Sequence, residues 1–173
     1  MIPGQVWGAR PDELLAELPC DSELSGSVLV CDRAISVDAP AETVFDWCCQ
    51  LRVASYSYEL LDVTWLLGAP LRRRPRTRSP ELTDLAVGQR FMGVFDLVNF
   101  TPGVQITLRA DTVAVTYSVR PYVVGPGSRL HVRVCFSGPG LIAAPLAFGD
   151  FFMMRKQLLT LKELAEREAL SVR

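Results

Sequence analysis

The stretch VQITLRADTVAVTYSVRPYVVGPGSRLHVRVCFS, from Val104 to Ser137, decides the fold of this chain. Apolar side chains occupy alternate positions in three runs, 104–108, 113–119 and 130–136. The pairs and triplets Ala110-Asp111 and Gly125-Pro126-Gly127 supply turn residues between the runs. Alternation of period two, interrupted by turns, predicts an antiparallel meander with one apolar face and one wet face.

Two further strands are predicted before this stretch. Residues 91–97 alternate in the same way and are separated from Val104 by Thr101-Pro102-Gly103. Ser27 to Val37 forms the first strand, and Arg33 interrupts its apolar side. The sheet is therefore expected to hold at least five strands.

Two short helices are predicted after the first strand. The first begins near Pro40 and carries an apolar stripe at helical spacing, Val44, Trp47, Cys48 and Leu51. The second spans Ser57 to Leu67 and ends before Gly68. Leu71 to Pro80 is expected to form an exposed loop, rich in proline and arginine.

The longest predicted helix runs from Leu146 to Arg173. It carries an apolar stripe of Phe151, Met154, Leu158, Leu161 and Ala165, and further aromatic residues widen this stripe in the first half of the helix. A wide apolar surface requires a partner that surrounds it. We expect the meander to curve around this helix and to leave an irregular cavity between the two.

The composition is that of one globular α+β domain preceded by an arm. The 173 residues are 49% hydrophobic and 21% charged, with a net charge of -1, which argues against nucleic acid as a partner. Prolines and glycines punctuate residues 1–26, an N-terminal arm with a short helix over Pro11 to Leu18, and residues 27–173 are expected to form one domain. No signal peptide or transmembrane segment is predicted, so the expected location is cytoplasmic.

The cysteines and the single histidine predict no metal site. The five cysteines, Cys20, Cys31, Cys48, Cys49 and Cys135, are odd in number and show no metal-ligand spacing. We expect reduced, mostly buried thiols. His131 alternates with apolar residues, which places it on the wet face of the sheet.

The order of these elements resembles the START-like superfamily, also called the SRPBCC or polyketide cyclase/dehydrase and lipid-transport group, and in particular its uncharacterised actinobacterial members. Four segments carry the resemblance: ISVDAPAETVF from Ile35, YSY from Tyr56, LAVGQRF from Leu85 and MMRKQL from Met153. It implies a helix-grip fold, a curved antiparallel sheet wrapped around the C-terminal helix, with a cavity for an apolar molecule and no cofactor. It assigns no catalytic residue, because fold and function diverge in large superfamilies.

Candidate ligand-binding residues are the aromatic side chains expected to face this cavity: Trp47, Tyr56, Tyr58, Trp65, Phe95, Tyr117, Phe151 and Phe152. The alternative for each is ordinary core packing. Candidate polar anchors are Arg33, Asp96, Asn99 and Asp150. A buried carboxyl among them would have a raised pKa, as a general acid requires, whereas the alternative is a structural ion pair such as Arg33 with Asp150.

Three functions remain open at this point. The first is binding, with possible transport, of a lipid or polyketide-like molecule, and the second is a cyclase, aromatase or dehydratase. The third is a protein-interaction domain, and it draws on the arginine cluster in the predicted loop, Arg72, Arg73, Arg74, Arg76 and Arg78. The alternative for that cluster is a solvated loop.

Overall fold

The fold is that of a computed structural model, which describes residues 4–54, 56 and 76–171. Its helices are α1 (Pro11–Leu14), α2 (Ala41–Cys49) and α3 (Gly140–Ser171). Its strands are β1 (Val6–Trp7), β2 (Val28–Val37), β3 (Arg90–Phe91), β4 (Phe95–Thr101), β5 (Gln105–Ala110), β6 (Val113–Pro121) and β7 (Ser128–Ser137).

The strands form one curved seven-stranded sheet in the order β1-β2-β7-β6-β5-β4-β3. β1 pairs in parallel with β2, and every other neighbouring pair is antiparallel. The predicted meander is therefore confirmed, and β2 closes it by pairing with β7 from Val28↔Ser137 to Val37↔Ser128. This is the α+β, helix-grip-like class that the sequence predicted.

The core lies between the concave face of the sheet and α3. Alternate residues of β7, from Leu130 to Phe136, are buried against it, as period two requires. Leu158, Leu161 and Ala165 of α3 have no exposed surface. No described helix contains a segment long and apolar enough to cross a membrane.

Residues 91–97 form a tight hairpin and not the single strand that the sequence predicted. Met92 and Gly93 both have positive φ, 49° and 79°, and the Val94 N–H donates to the Phe91 carbonyl at 3.2 Å. Positive φ at both central residues is typical of type I′ turns. Phe91 and Phe95 face each other across the turn, so the apolar alternation continues through it and conceals the break.

α3 begins at Gly140, six residues before the predicted start at Leu146. Pro145 lies inside it. Pro145 is the sixth residue of the helix, and because it has no N–H, α3 lacks one backbone hydrogen bond at this point. The proline therefore does not mark the first residue of this helix.

The convex face of the sheet is not wet beside the N-terminal arm. His131 and Arg133 are 3% and 4% exposed, although we expected His131 in solvent. The arm covers them: Arg133 donates to the backbone carbonyls of Glu13 and Leu14 at 3.1 and 2.9 Å. Asp32 accepts a hydrogen bond from Arg133 Nε at 2.9 Å, and its Oδ1 lies 2.8 Å from His131 Nε2.

Some predictions lie outside the described residues. These are the helix over 57–67, with Tyr58 and Trp65, and most of the loop over 71–80, with Arg72, Arg73 and Arg74. Within the arm, the helix predicted to reach Leu18 ends at Leu14, and Pro19–Ser22 forms a 3₁₀ helix. The division of the chain at residue 26 stays a prediction.

Candidate ligand cavity

A cavity of about 340 Å³ lies between α3 and the concave face of the sheet. β4, β6, β7 and the turn before β4 form one wall, and the first half of α3 forms the other. Its lining residues are mainly apolar: Met92, Phe95, Val113, Val115, Tyr117, Val134, Phe136, Pro145, Leu146, Gly149, Asp150, Met153, Met154 and Gln157. Small-molecule sites span roughly 300–1,000 Å³, so this cavity is at the small end of that range.

The carboxyl of Asp150 is one of the polar groups in the wall. Arg33 of β2 lies behind it, with Nη2 3.0 Å from Asp150 Oδ2 and no exposed surface. Burial raises the pKa of Asp150 to about 6, against the attraction of Arg33. The ion pair expected between these residues is thus present, and it holds a titratable carboxyl at the cavity.

The hydrogen-bonding capacity of this pair is incompletely used. Arg33 Nη2 donates to the carbonyl of Ala147 at 3.3 Å. Arg33 Nε and Nη1 have no hydrogen-bond partner among residues 4–54, 56 and 76–171, and the contact of Nη2 with Asp150 Oδ2 is an ion pair without hydrogen-bond geometry. Buried donors without acceptors cost free energy, so this pair carries a desolvation penalty that the described residues do not offset.

Tyr117 and Gln157 supply the other polar groups. The Tyr117 hydroxyl donates to Gln157 Oε1 at 2.6 Å, and Gln157 Nε2 donates to Met92 Sδ at 3.5 Å. These contacts fix the orientation of the amide inside the core.

The polar groups lie at two levels of the cavity. Asp150 and Gln157 are on the same face of α3, two turns apart, which is about 10 Å along the helix axis at 1.5 Å per residue. Apolar side chains line the space between them, including Met153 and Met154. The arrangement suits an elongated apolar molecule with oxygen atoms toward both ends.

Of the predicted site residues, Phe95, Tyr117 and Asp150 line the cavity. Trp47 and Tyr56 do not, although both are 1% exposed. Their rings contact each other edge to face at 6.3 Å, and Trp47 Nε1 donates to Glu168 Oε2 at 2.9 Å. Trp47 thus packs α2 against the second half of α3, and Tyr56 packs against Trp47, which is the core packing that we kept as the alternative for them.

Phe151 and Phe152 lie on other sides of α3. Phe152 is 54% exposed, and the Phe151 ring packs beside Gly4, where an added Cβ would come within 3.0 Å of it. Successive helical residues point about 100° apart, so Asp150 and Met153 face the cavity while Phe151 and Phe152 do not. Aromatic character alone misidentified the lining face.

Asp96 and Asn99 lie outside the cavity. Asp96 is half-exposed and pairs with Arg90 at 3.1 Å. In a regular strand Asn99 would lie on the same face as Phe95, which points inward. A bulge between Leu97 and Asn99 shifts the register and leaves Asn99 exposed. Its Oδ1 accepts a hydrogen bond from Gln105 Nε2 at 2.7 Å.

Gln157 is the polar lining residue that we did not predict. Its place on the cavity-facing side of the helix could be predicted, because it follows Asp150 by seven residues and Met154 by three, and residues at these spacings share a helix face. A polar residue on the apolar face of a long helix is the signal that could have identified it.

Arg78, one member of the predicted arginine cluster, forms structural ion pairs. It contacts Asp46 of α2, and its Nη2 lies 2.7 Å from Glu168 Oε1 of α3. This arginine therefore joins two helices and is not available as part of an open basic surface.

No protein-family model and no curated protein matches the chain. Among solved structures, a protein from Nitrosospira multiformis is 15% identical with a TM-score of 0.54, and the match covers 83% of this chain and 99% of that one. KanY is 12% identical with a TM-score of 0.49, covering 82% and 99%. DynU16, from the dynemicin biosynthetic locus, is 16% identical with a TM-score of 0.44, covering 74% and 45%. The likeness to the Nitrosospira protein shows a shared fold.

Proposed function

We propose that this protein binds a small, elongated and mainly apolar molecule in the cavity beside α3. The observation that carries the proposal is an apolar cavity of about 340 Å³ with polar groups confined to two levels of its wall. Apolar walls with a few placed polar groups are typical of small-molecule sites. A lipid fragment or a polyketide-like compound has this chemistry, as the resemblance to START-like proteins implies. A protein-interaction domain with a filled core agrees less well with such a cavity.

The ligand is expected to carry oxygen atoms at both ends. At one end, a hydroxyl group of the ligand donates a hydrogen bond to the carboxylate of Asp150, which lines the cavity. The other end reaches the level of Tyr117 and Gln157. A molecule with a single polar end satisfies only one of these levels and should bind more weakly.

Gly149 allows a direct test, because it lines the cavity and an added Cβ would meet no atom within 4 Å. Gly149→Leu places a side chain in the cavity and should abolish binding while leaving the melting temperature unchanged or higher, since leucine favours helix over glycine. Gly149→Ala is the matched control and should still bind. The readouts are native mass spectrometry of retained ligand and thermal shift with a panel of apolar alcohols and acids.

Equal binding by the Gly149→Leu variant and the wild-type protein would refute the assignment of this cavity. An empty protein with no thermal shift across the whole panel would do the same.

A second candidate function is catalysis of proton transfer, and Asp150 supports it. Its pKa of about 6 lets the carboxyl accept and return a proton near neutral pH, beside the positive charge of Arg33. Such a group could assist the cyclisation or dehydration of a poly-carbonyl chain. Asp150→Asn separates the two functions: a binding protein should retain ligand, whereas an enzyme should lose turnover by about 100-fold or more while still binding substrate.

A further inference from the structure

Two cysteines and an aspartate from distant parts of the sequence meet on the convex side of the sheet. Cys20 and Asp21 lie in the 3₁₀ helix of the N-terminal arm, and Cys135 lies on β7. The two sulfurs and a carboxylate oxygen are all within 4.8 Å of one another. Both thiols are fully buried and reduced, whereas Asp21 is exposed to solvent.

Asp21 is oriented toward the thiols by its surroundings. Its Oδ2 accepts hydrogen bonds from Arg133 Nη1 at 2.8 Å and from the Leu18 N–H at 2.9 Å. Its other oxygen, Oδ1, lies 3.9 Å from Cys135 Sγ. One oxygen is thus held by the protein while the other faces the sulfurs, an arrangement common around metal-binding carboxylates.

The Cys20 residue is also fixed in place. Its N–H donates to Thr116 Oγ1 at 3.1 Å, which anchors the arm residue on the sheet. Its thiol donates to the Arg133 carbonyl at 3.7 Å, which orients the sulfur beside β7.

We propose that Cys20, Asp21 and Cys135 bind a thiophilic divalent cation such as Zn²⁺, which fastens the N-terminal arm to β7. Two thiolates and a carboxylate are ordinary zinc ligands, and sulfurs at ~2.3 Å from tetrahedral zinc lie ~3.8 Å apart. The observed spacing therefore requires only a small contraction. The exposed side of Asp21 gives the ion a route inward and room for water as a fourth ligand.

The charges balance when the ion binds. Each thiol releases its proton to solvent, and the two resulting thiolate charges offset the two charges of the cation. The ion pairs of Arg133 with Asp21 and Asp32 are kept. No oxidant or reductant is needed.

The sequence predicted no metal site, because closely spaced cysteine or histidine ligands are absent from it. Folding supplies the proximity that the sequence lacks, since the arm crosses β7 at Cys135. Only Cys20-Asp21 is a local pair, and it is too short a signal to recognise alone.

The test is a titration of the full-length, reduced and metal-free protein with Co²⁺. The expected result is one equivalent bound, with a thiolate-to-cobalt charge-transfer band and the intense visible absorption of tetrahedral cobalt, both displaced by Zn²⁺. Cys20→Ser and Cys135→Ser should lose the charge-transfer band or halve it. Asp21→Asn should keep both thiolates and weaken binding about tenfold or more.

Cys49→Ala is the matched control, because it removes a buried thiol on α2, away from the cluster. It should bind Co²⁺ as the wild-type protein does. Circular dichroism checks that the serine variants fold, and Asp21→Asn keeps the test decisive if they do not. No charge-transfer band in the wild-type protein, or the same band in both serine variants, would overturn the proposal.

A second readout addresses the arm itself. If the ion fastens the arm, Zn²⁺ should slow proteolysis of the wild-type arm and raise the melting temperature, because it binds only the folded state well. Neither change is expected in Cys135→Ser. Equal protection in that variant would contradict the role given to the ion.

Discussion

Burial of the Arg33 guanidinium beside Asp150 is the most unusual feature at the scale of single residues. An arginine with no exposed surface requires a counter-charge and acceptors, and this one has the carboxyl of Asp150 and a single carbonyl. Its Nε and Nη1 donors have no hydrogen-bond acceptor among the described residues. Such a pair contributes little net stability, because desolvation offsets attraction.

The contribution of Asp150 to the stability of the protein should fall as pH rises from about 4 to about 6. The pKa of Asp150 is raised from 3.8 to about 6, so the folded state binds this proton more tightly than the unfolded state. Proton uptake stabilises the fold at low pH, and the contribution, on the order of 3 kcal/mol, disappears as the carboxyl ionises.

Urea unfolding at a series of pH values measures this dependence. Asp150→Asn has no titrating carboxyl at this position, so its stability should depend less on pH in this window. An unchanged slope in that variant would assign the dependence to another group.

A double-mutant cycle on the same pair distinguishes stability from function. Arg33→Met alone should cost about 3–5 kcal/mol at pH 7, because it leaves a buried carboxylate unpaired. Arg33→Met combined with Asp150→Leu should restore most of this loss, since apolar residues can replace a buried pair. The restored protein should nevertheless bind ligand poorly. Denaturant unfolding and ligand titration together measure both effects, and full binding by the double variant would show that the pair has no role in recognition.

At the scale of elements, two arginines of β7 hold the N-terminal arm: Arg129 binds the Glu13 carboxylate, and Arg133 makes the larger set of contacts. Arg133 of β7 joins the arm, through the carbonyls of Glu13, Leu14 and Ala16, to Asp32 of β2. The planar guanidinium can make these bonds simultaneously, which a lysine cannot. The arm is therefore an integral layer over the convex face.

Arg133→Gln should loosen the arm and destabilise the protein by about 3 kcal/mol, because several buried acceptors lose their donor. Limited proteolysis with thermolysin should then cleave within the arm faster than in the wild-type protein. Arg109→Gln is the control, since Arg109 is half-exposed and its contact with Glu23 is 3.7 Å. That variant should stay within about 0.5 kcal/mol of wild type. Equal cleavage of both variants would exclude Arg133 as an anchor.

The elements that the sequence predicted well are those whose periodicity reports burial directly. One face of each of these elements is apolar, which made them predictable: the three runs from Val104 to Phe136 and the stripe of α3. The hairpin at Met92-Gly93 was missed because apolar alternation continues across it. The bulge before Asn99 was missed because a register shift has no periodic signature.

The candidate site was predictable only in part for a related reason. Phe95, Tyr117 and Asp150 belong to elements whose inward face could be assigned. Trp47 and Tyr56 are equally buried. A hydrophobic pattern predicts that a side chain is buried. It does not predict whether that side chain fills the core or lines a cavity, because this depends on packing. The contact between Cys20 and Cys135 depends on the path of an arm that has no periodicity at all.

At the scale of the whole molecule, two strands that are far apart in the sequence are neighbours in the sheet. β2 pairs along its full length with β7, which is the last strand of the chain. Both strands contribute to the core, and β2 also carries Arg33, which pairs with Asp150 of the cavity wall. The site therefore exists only when the two ends of the domain are joined.

This pairing determines the order in which the protein can be assembled during its synthesis. A ribosome adds about 5–20 residues per second, so β2 leaves the exit tunnel several seconds before β7 does. During that interval β2 lacks its antiparallel neighbour and presents an unpaired edge to other nascent chains or to chaperones. The sheet can form only after β7 has been synthesised, so β2 stays exposed to wrong pairing throughout this interval.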